Sequence, residues 1–154
     1  MLSREEIEEI EHEAASMPRR KSACIEALRT VQRHRGWVCD EAIADVAEYL
    51  DMSRDEVDGV ATFYNLIFRH PVGRHVIFLC DSVSCWVLGC DRVRRSLSEK
   101  LGVDFGGTTE DGRFTLLPIQ CLGTCDHAPA LMVDDDLHRD VAAESVEEIL
   151  NRYE

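Results

Sequence analysis

His75-Val-Ile-Phe-Leu-Cys80-Asp-Ser-Val-Ser-Cys85 is the stretch on which the fold turns. Its first half is an apolar, partly β-branched run that reads as a buried strand, and Cys80 stands at that strand's end. Its second half carries Cys85 at a C-x4-C spacing and reads as a loop. The arrangement recurs downstream, where the strand-like run Phe114-Thr-Leu-Leu-Pro-Ile is followed by Cys121-Leu-Gly-Thr-Cys125 at a C-x3-C spacing. About 35 residues separate the two pairs, enough for a helix and a strand. Two loops at strand ends, each offering two thiolates, make a four-sulfur cage.

Iron–sulfur clusters are held by four cysteine thiolates, commonly spaced wider than the C-x2-C knuckle of structural zinc. A 2Fe-2S cluster is therefore the reading that the spacing favours. Zinc stays open as an alternative, although the chain contains no C-x2-C. Unrelated buried thiols are another, since free cysteine packs as a small hydrophobe. Two disulfides would need an oxidising compartment. The start Met1-Leu2-Ser3-Arg4-Glu5-Glu6 has no apolar signal segment, so a reducing, cytoplasmic setting is expected.

The chain has 154 residues, enough for one domain or two small ones with a real core. Thirty acidic against 17 basic side chains give a net charge of −13. That balance argues against nucleic acid and anionic membrane surfaces as partners, both of which reward lysine and arginine; solubility accounts for most of it. No apolar stretch approaches the ~20 residues of a membrane span. Direct membrane insertion is not expected, and any membrane connection passes through a partner.

Residues 1–70 read as a helical bundle. Ser3 and Glu6 form a capping box ahead of Ile7 and Ile10, and Pro18 ends that helix. A second helix is predicted from Lys21 to Arg35, stopped by Gly36. A third runs from an Asp40 cap to Leu50, and a fourth is capped by Ser53 and Glu56 and continues to Tyr64. His70-Pro71-Val72-Gly73 is the predicted boundary. Residues 71–154 then read as strand (75–80), helix (87–101), strand (113–119), strand (130–134) and a last helix opened by Ser145 and Glu148. The fold class is α+β, a helical bundle followed by a small layer compatible with a thioredoxin-like fold.

No G-x-G-x-x-G, no G-x-x-x-x-G-K-[ST] and no H-E-x-x-H is present, so nothing predicts a nucleotide or flavin site, and no catalytic residue is assigned. The six histidines are scattered and read as surface or packing residues. Cys85 and Cys90 are also spaced C-x4-C, which makes the first pair ambiguous. Cys90, Val93, Leu97 and Leu101 fall on one apolar helical stripe. Five helical residues turn through roughly 500°, so Cys85 and Cys90 would point apart if both were helical. Cys80 and Cys85 are accordingly taken as the ligand pair and Cys90 as core. Cys24 and Cys39 read as packing residues of the helical part.

These segments, together with Gly59-Val-Ala-Thr-Phe-Tyr-Asn65 and the run from Asp111 to Asp126, resemble the thioredoxin-like 2Fe-2S subunit of bacterial NADH:quinone oxidoreductase, the E subunit of respiratory complex I. The likeness reaches from the helical part to Arg152-Tyr153. It implies a helical bundle ahead of a thioredoxin-like 2Fe-2S ferredoxin domain, with Cys80, Cys85, Cys121 and Cys125 as ligands; Cys90 lies outside the family's pattern. It also implies a partner subunit that binds FMN and NADH and exchanges electrons with the cluster. Further peripheral-arm subunits, and a place at the inner face of the plasma membrane, follow from the same likeness.

The equivalent small subunit of an NAD-linked hydrogenase or formate dehydrogenase is the nearest alternative. A free-standing thioredoxin-like ferredoxin is another, disfavoured by the seventy helical residues. A disulfide reductase would need a C-x-x-C that the chain lacks. The helical part is expected to be the main docking surface. Phe63 and Tyr64 are expected in ordinary core packing, with an interface role as the alternative.

Overall fold

The computed structural model describes residues 1–153, which divide into two compact units at Pro71–Val72. The first is built from four helices: α1 (Arg4–Ala14), α2 (Cys24–Arg35), α3 (Asp40–Leu50) and α4 (Arg54–Phe63). Both expected capping boxes form. The Ser3 hydroxyl accepts from the Glu6 N–H at 3.1 Å, and the Glu6 carboxylate accepts from the Ser3 N–H at 2.7 Å; Ser53 and Glu56 repeat the arrangement ahead of α4. Ala27, Leu28 and Val31 of α2 bury one stripe against Ile43, Val46 and Leu50 of α3. Gly36 ends α2 at φ 83°, a left-handed position that suits glycine.

Three features of this unit differ from expectation. The start of the second helix is a 3-10 turn, Arg20–Ala23, before α2 proper. Cys39, not Asp40, is the cap of α3, and it caps without a side-chain hydrogen bond. Phe63 and Tyr64 are not core residues: Phe63 is 76% exposed and Tyr64 42%. At 100° per residue, Phe63 sits about 200° around α4 from the buried Ala61. Tyr64 has left the helix in extended conformation.

The second unit carries β1 (His75–Cys80), α5 (Val83–Val87), α6 (Cys90–Leu101), β2 (Phe114–Ile119), β3 (Leu131–Val133), β4 (Asp136–His138) and α7 (Val146–Leu150). The sheet order is β2-β1-β3-β4. β1 runs parallel to β2, with His75 opposite Phe114 and Cys80 opposite Ile119, whereas β3 and β4 are antiparallel to their neighbours. Ile77, Leu79, Leu116, Leu131 and Val133 of the sheet pack with Val93 and Leu97 of α6 and Val146 of α7. The mixed order of helix and strand is the small α/β layer that the sequence predicts.

Three features here escaped the sequence. The single helix expected over 87–101 is two helices, broken at Gly89, which adopts φ 97°. β4 is a three-residue strand on the acidic turn Asp134-Asp135-Asp136, too short and polar to show a strand pattern. Ser145 stands at the start of α7 but does not cap it; its hydroxyl donates to the Ala142 carbonyl at 2.9 Å instead.

Candidate metal centre

The parallel pairing of β1 with β2 builds the site. Parallel strands end on the same side of a sheet, so the segments that leave Cys80 and Ile119 emerge as neighbours. The Asp81 N–H donates to the Ile119 carbonyl at 2.8 Å, and the Cys80 N–H donates to the Ala130 carbonyl at 3.1 Å. These bonds tie the cysteine-bearing segments to one pole of the sheet. Cys121 follows β2 directly, and Cys125 opens the 3-10 turn Cys125–His127.

All four expected ligands gather at this pole. Cys121 Sγ and Cys125 Sγ stand 3.8 Å apart and are solvent-exposed. Cys80 and Cys85 are each 2% exposed. Cys80 is the link between the pairs, since its thiol interacts with Cys85 on one side and Cys121 on the other. Among the described residues, no three His, Cys, Asp or Glu side chains close into a cage around a single ion.

Cys85 corrects two expectations. It lies on the short helix α5 rather than in a loop, and it does not point away from Cys90. The break at Gly89 resets the helical phase, so Cys80, Cys85 and Cys90 pack together, with Leu122 and Ala128 against them. The 500° argument assumed one continuous helix, and that premise fails.

The thiols differ in proton affinity. The Gly123 N–H donates to Cys121 Sγ at 3.3 Å and holds that thiol below its ordinary value, with Cys125 assisting. Cys125 is raised, chiefly by the facing Cys121. Burial, with the hydrogen bond to Cys80 adding to it, pushes Cys85 up to about 11. Cys90 is raised mainly by burial and then by the carboxylates of Asp91 and Asp81. Gly123, at φ 74°, gives the second loop both its turn and its donor; the glycine inside C-x3-C was the available signal. Ser84, which interacts with Cys125, had none.

The remaining cysteines lie in the helical unit. Cys24 is buried in its core, where burial pushes the thiol up to about 11, and Cys39 is partly buried against the same core. His127 is half exposed and meets Asp140 through Nδ1 at 2.9 Å.

The helices around the site leave an apolar surface that sequence reasoning missed. Val83, Trp86, Val87 and Leu88, on α5 and just after it, are 71, 61, 68 and 53% exposed. Three large apolar side chains on the helix that also carries Cys85, with Leu88 just beyond it, form a patch beside the thiols.

A pole of a mixed sheet that gathers four thiols, two from each strand-end segment, has the donor set of an iron–sulfur centre on a thioredoxin-like architecture. The chain belongs to the thioredoxin-like [2Fe-2S] ferredoxin family, whose model matches residues 10–154. It is 50% identical over 153 residues to the E subunit of the NADH-quinone oxidoreductase of Pseudomonas aeruginosa, covering 99% of this chain and 92% of that one. Its counterpart from Escherichia coli strain K12 is likewise 50% identical over 152 residues, with the same coverage. The fold is shared with a chain of the NAD+-reducing [NiFe]-hydrogenase in its air-oxidized state, at a TM-score of 0.68 and 21% identity. That match covers 82% of this chain and 22% of the hydrogenase chain, and at this identity it speaks for the fold alone.

Proposed function

We propose that Cys80, Cys85, Cys121 and Cys125 hold one [2Fe-2S] cluster, and that the chain is an electron-transfer subunit of an NADH-quinone oxidoreductase. The carrying observation is the position of Cys80, whose thiol joins the β1 pair to the β2 pair. The donor set fits the group: four thiols, two from the end of β1 and the helix α5 that follows it and two from the segment that follows β2, with the backbone N–H of Gly123 already directed at one sulfur. A cluster held there stores and passes single electrons. Burial keeps the proton on Cys85 Sγ, and that proton would have to leave for Cys85 to serve as a thiolate ligand.

The chain's own residues set access. Cys80 and Cys85 shield one side of the site, while Cys121 and Cys125 face solvent. The electron partner in this reading is the flavin- and NADH-binding subunit, following the chain's likeness to E subunits of NADH-quinone oxidoreductases. Electron exchange needs close approach, and the apolar patch of Val83, Trp86, Val87 and Leu88 is the surface beside the cluster that such a partner covers. Exposed Phe63, Tyr64 and Leu66 give the helical unit a second docking surface. No helix among the described residues is long and apolar enough to cross a membrane, so a place at the inner face of the plasma membrane is reached through other subunits.

Metal and acid-labile sulfide analysis of the anaerobically purified chain, with visible and EPR spectra, tests this reading. About two irons and two sulfides per chain, with a signal on reduction, are expected. About one zinc and no visible absorption would overturn it.

A further inference from the structure

We propose that Cys90 is an alternative ligand of the cluster, able to replace Cys85. This rests on the [2Fe-2S] reading above. Cys90 is 3% exposed and a free thiol, yet its burial is not ordinary core packing. Val93 and Leu97, its neighbours on the buried stripe of α6, join the main core with Ile77, Leu79 and Leu116. Cys90 instead packs with Cys80 and Cys85, the two proposed ligands, under Leu122 and Ala128. A fifth thiol is thus held in the pocket that supplies half of the sulfur set.

The substitution is specific to Cys85. Cys80 is fixed by its place on β1, paired with Ile119, and it alone of the buried thiols interacts with Cys121 of the second loop. Cys90 packs with Cys80 and Cys85 on the buried side of the site. It can therefore complete the first pair only where Cys80 remains. α5 has five residues and is joined to α6 through Gly89, so its hold on Cys85 is the weaker one, whereas α6 anchors Cys90 through Val93 and Leu97. The exchange involves no oxidation. In the parent chain the Cys90 thiol would give up its proton on binding iron and the departing Cys85 sulfur would take one up; in Cys85→Ala the Cys90 proton would go to solvent.

The test uses the full chain with Cys85→Ala, Cys90→Ala, the double variant and Cys80→Ala, each purified anaerobically. Iron and sulfide content and EPR are read on the holo proteins, and far-UV circular dichroism on the apo forms. Cys90→Ala is expected to keep the parent's spectrum. Cys85→Ala is expected to retain most of the iron with shifted absorption and g values. The double variant should lose it at least roughly tenfold, the scale on which even outer-shell partners of a metal matter. Cys80→Ala should lose its iron with Cys90 intact. Cys85→Ser, which keeps the side-chain volume, serves if the alanine variant does not fold; its oxygen is told from Cys90 sulfur by adding Cys90→Ala. A folded Cys85→Ala without iron, or a double variant that keeps its cluster, overturns the assignment. A parent without the cluster overturns the proposed function itself.

Discussion

Replacing Trp86 by alanine should separate docking from folding. Trp86 is 61% exposed, so of the roughly 250 Å² that a tryptophan can bury, about 150 Å² remains uncovered. At ~25 cal/mol per Å², covering that area is worth at most about 4 kcal/mol. Binding also costs ordering and desolvation, so the expected loss for a central aromatic is about 2–4 kcal/mol. That is a drop in affinity for the proposed flavin-binding partner of roughly 30- to 700-fold. Thermal unfolding of the isolated chain should change little, because the side chain contributes little to either core. Isothermal titration of the holo chain with the flavin subunit reads the first quantity, and calorimetric unfolding reads the second. Unchanged affinity with unchanged stability would refute the placement of the partner over α5. A large loss of stability would show that Trp86 acts through the fold instead.

Cys80→Ser should abolish or badly destabilise the cluster in iron analysis, since an alkoxide is a poorer ligand for iron than a thiolate and no other buried thiol interacts with both loops. Glu6 is 1% exposed and meets Arg35 in a two-pronged pair at 2.7 and 2.8 Å, while also capping Ser3. Glu6→Gln should cost about 3 kcal/mol, the low end for breaking a buried pair, because Asp45 still reaches Arg35 at 3.4 Å. Arg35 holds the Glu6 carboxyl below its ordinary value, so its contribution is complete above the unfolded value near 4.3 and fades as pH falls through the lower folded value. Denaturant unfolding of the parent below about pH 4 should show that loss, and Glu6→Gln should lack this component of it.

Much of the fold was legible because local signals agreed with the final packing. The two capping boxes, the Gly36 stop and the apolar runs at 75–80 and 114–119 each specify one conformation and are found in it. The cysteine pairs were legible as a site because strand ends aim loops. Cys85 was misplaced because a glycine inside an apolar stretch does not announce whether a helix tolerates it or breaks there; Gly89 breaks it. Phe63 and Tyr64 were expected inside because large aromatics usually are, but their angle to Ala61 and the end of α4 leave them outside. β4 was invisible because its three residues are paired by the tight acidic turn that precedes them, not by any pattern of their own.

Both margins of the sheet are closed to further strands. Along the outer side of β2, the segment from Gly106 to Thr109 exchanges backbone hydrogen bonds with Phe114 and Leu116. Past that point Pro118 has no N–H to donate, which an outermost strand tolerates. The opposite margin is the three-residue β4, which opens on the exposed carboxylates of Asp135 and Asp136, charges that disfavour an approaching strand. Extension of the ladder by another polypeptide is therefore disfavoured at both margins. In a crowded assembly of many subunits, that confines this unit to a stoichiometric fit and denies it the open-ended stacking that an unguarded β margin invites.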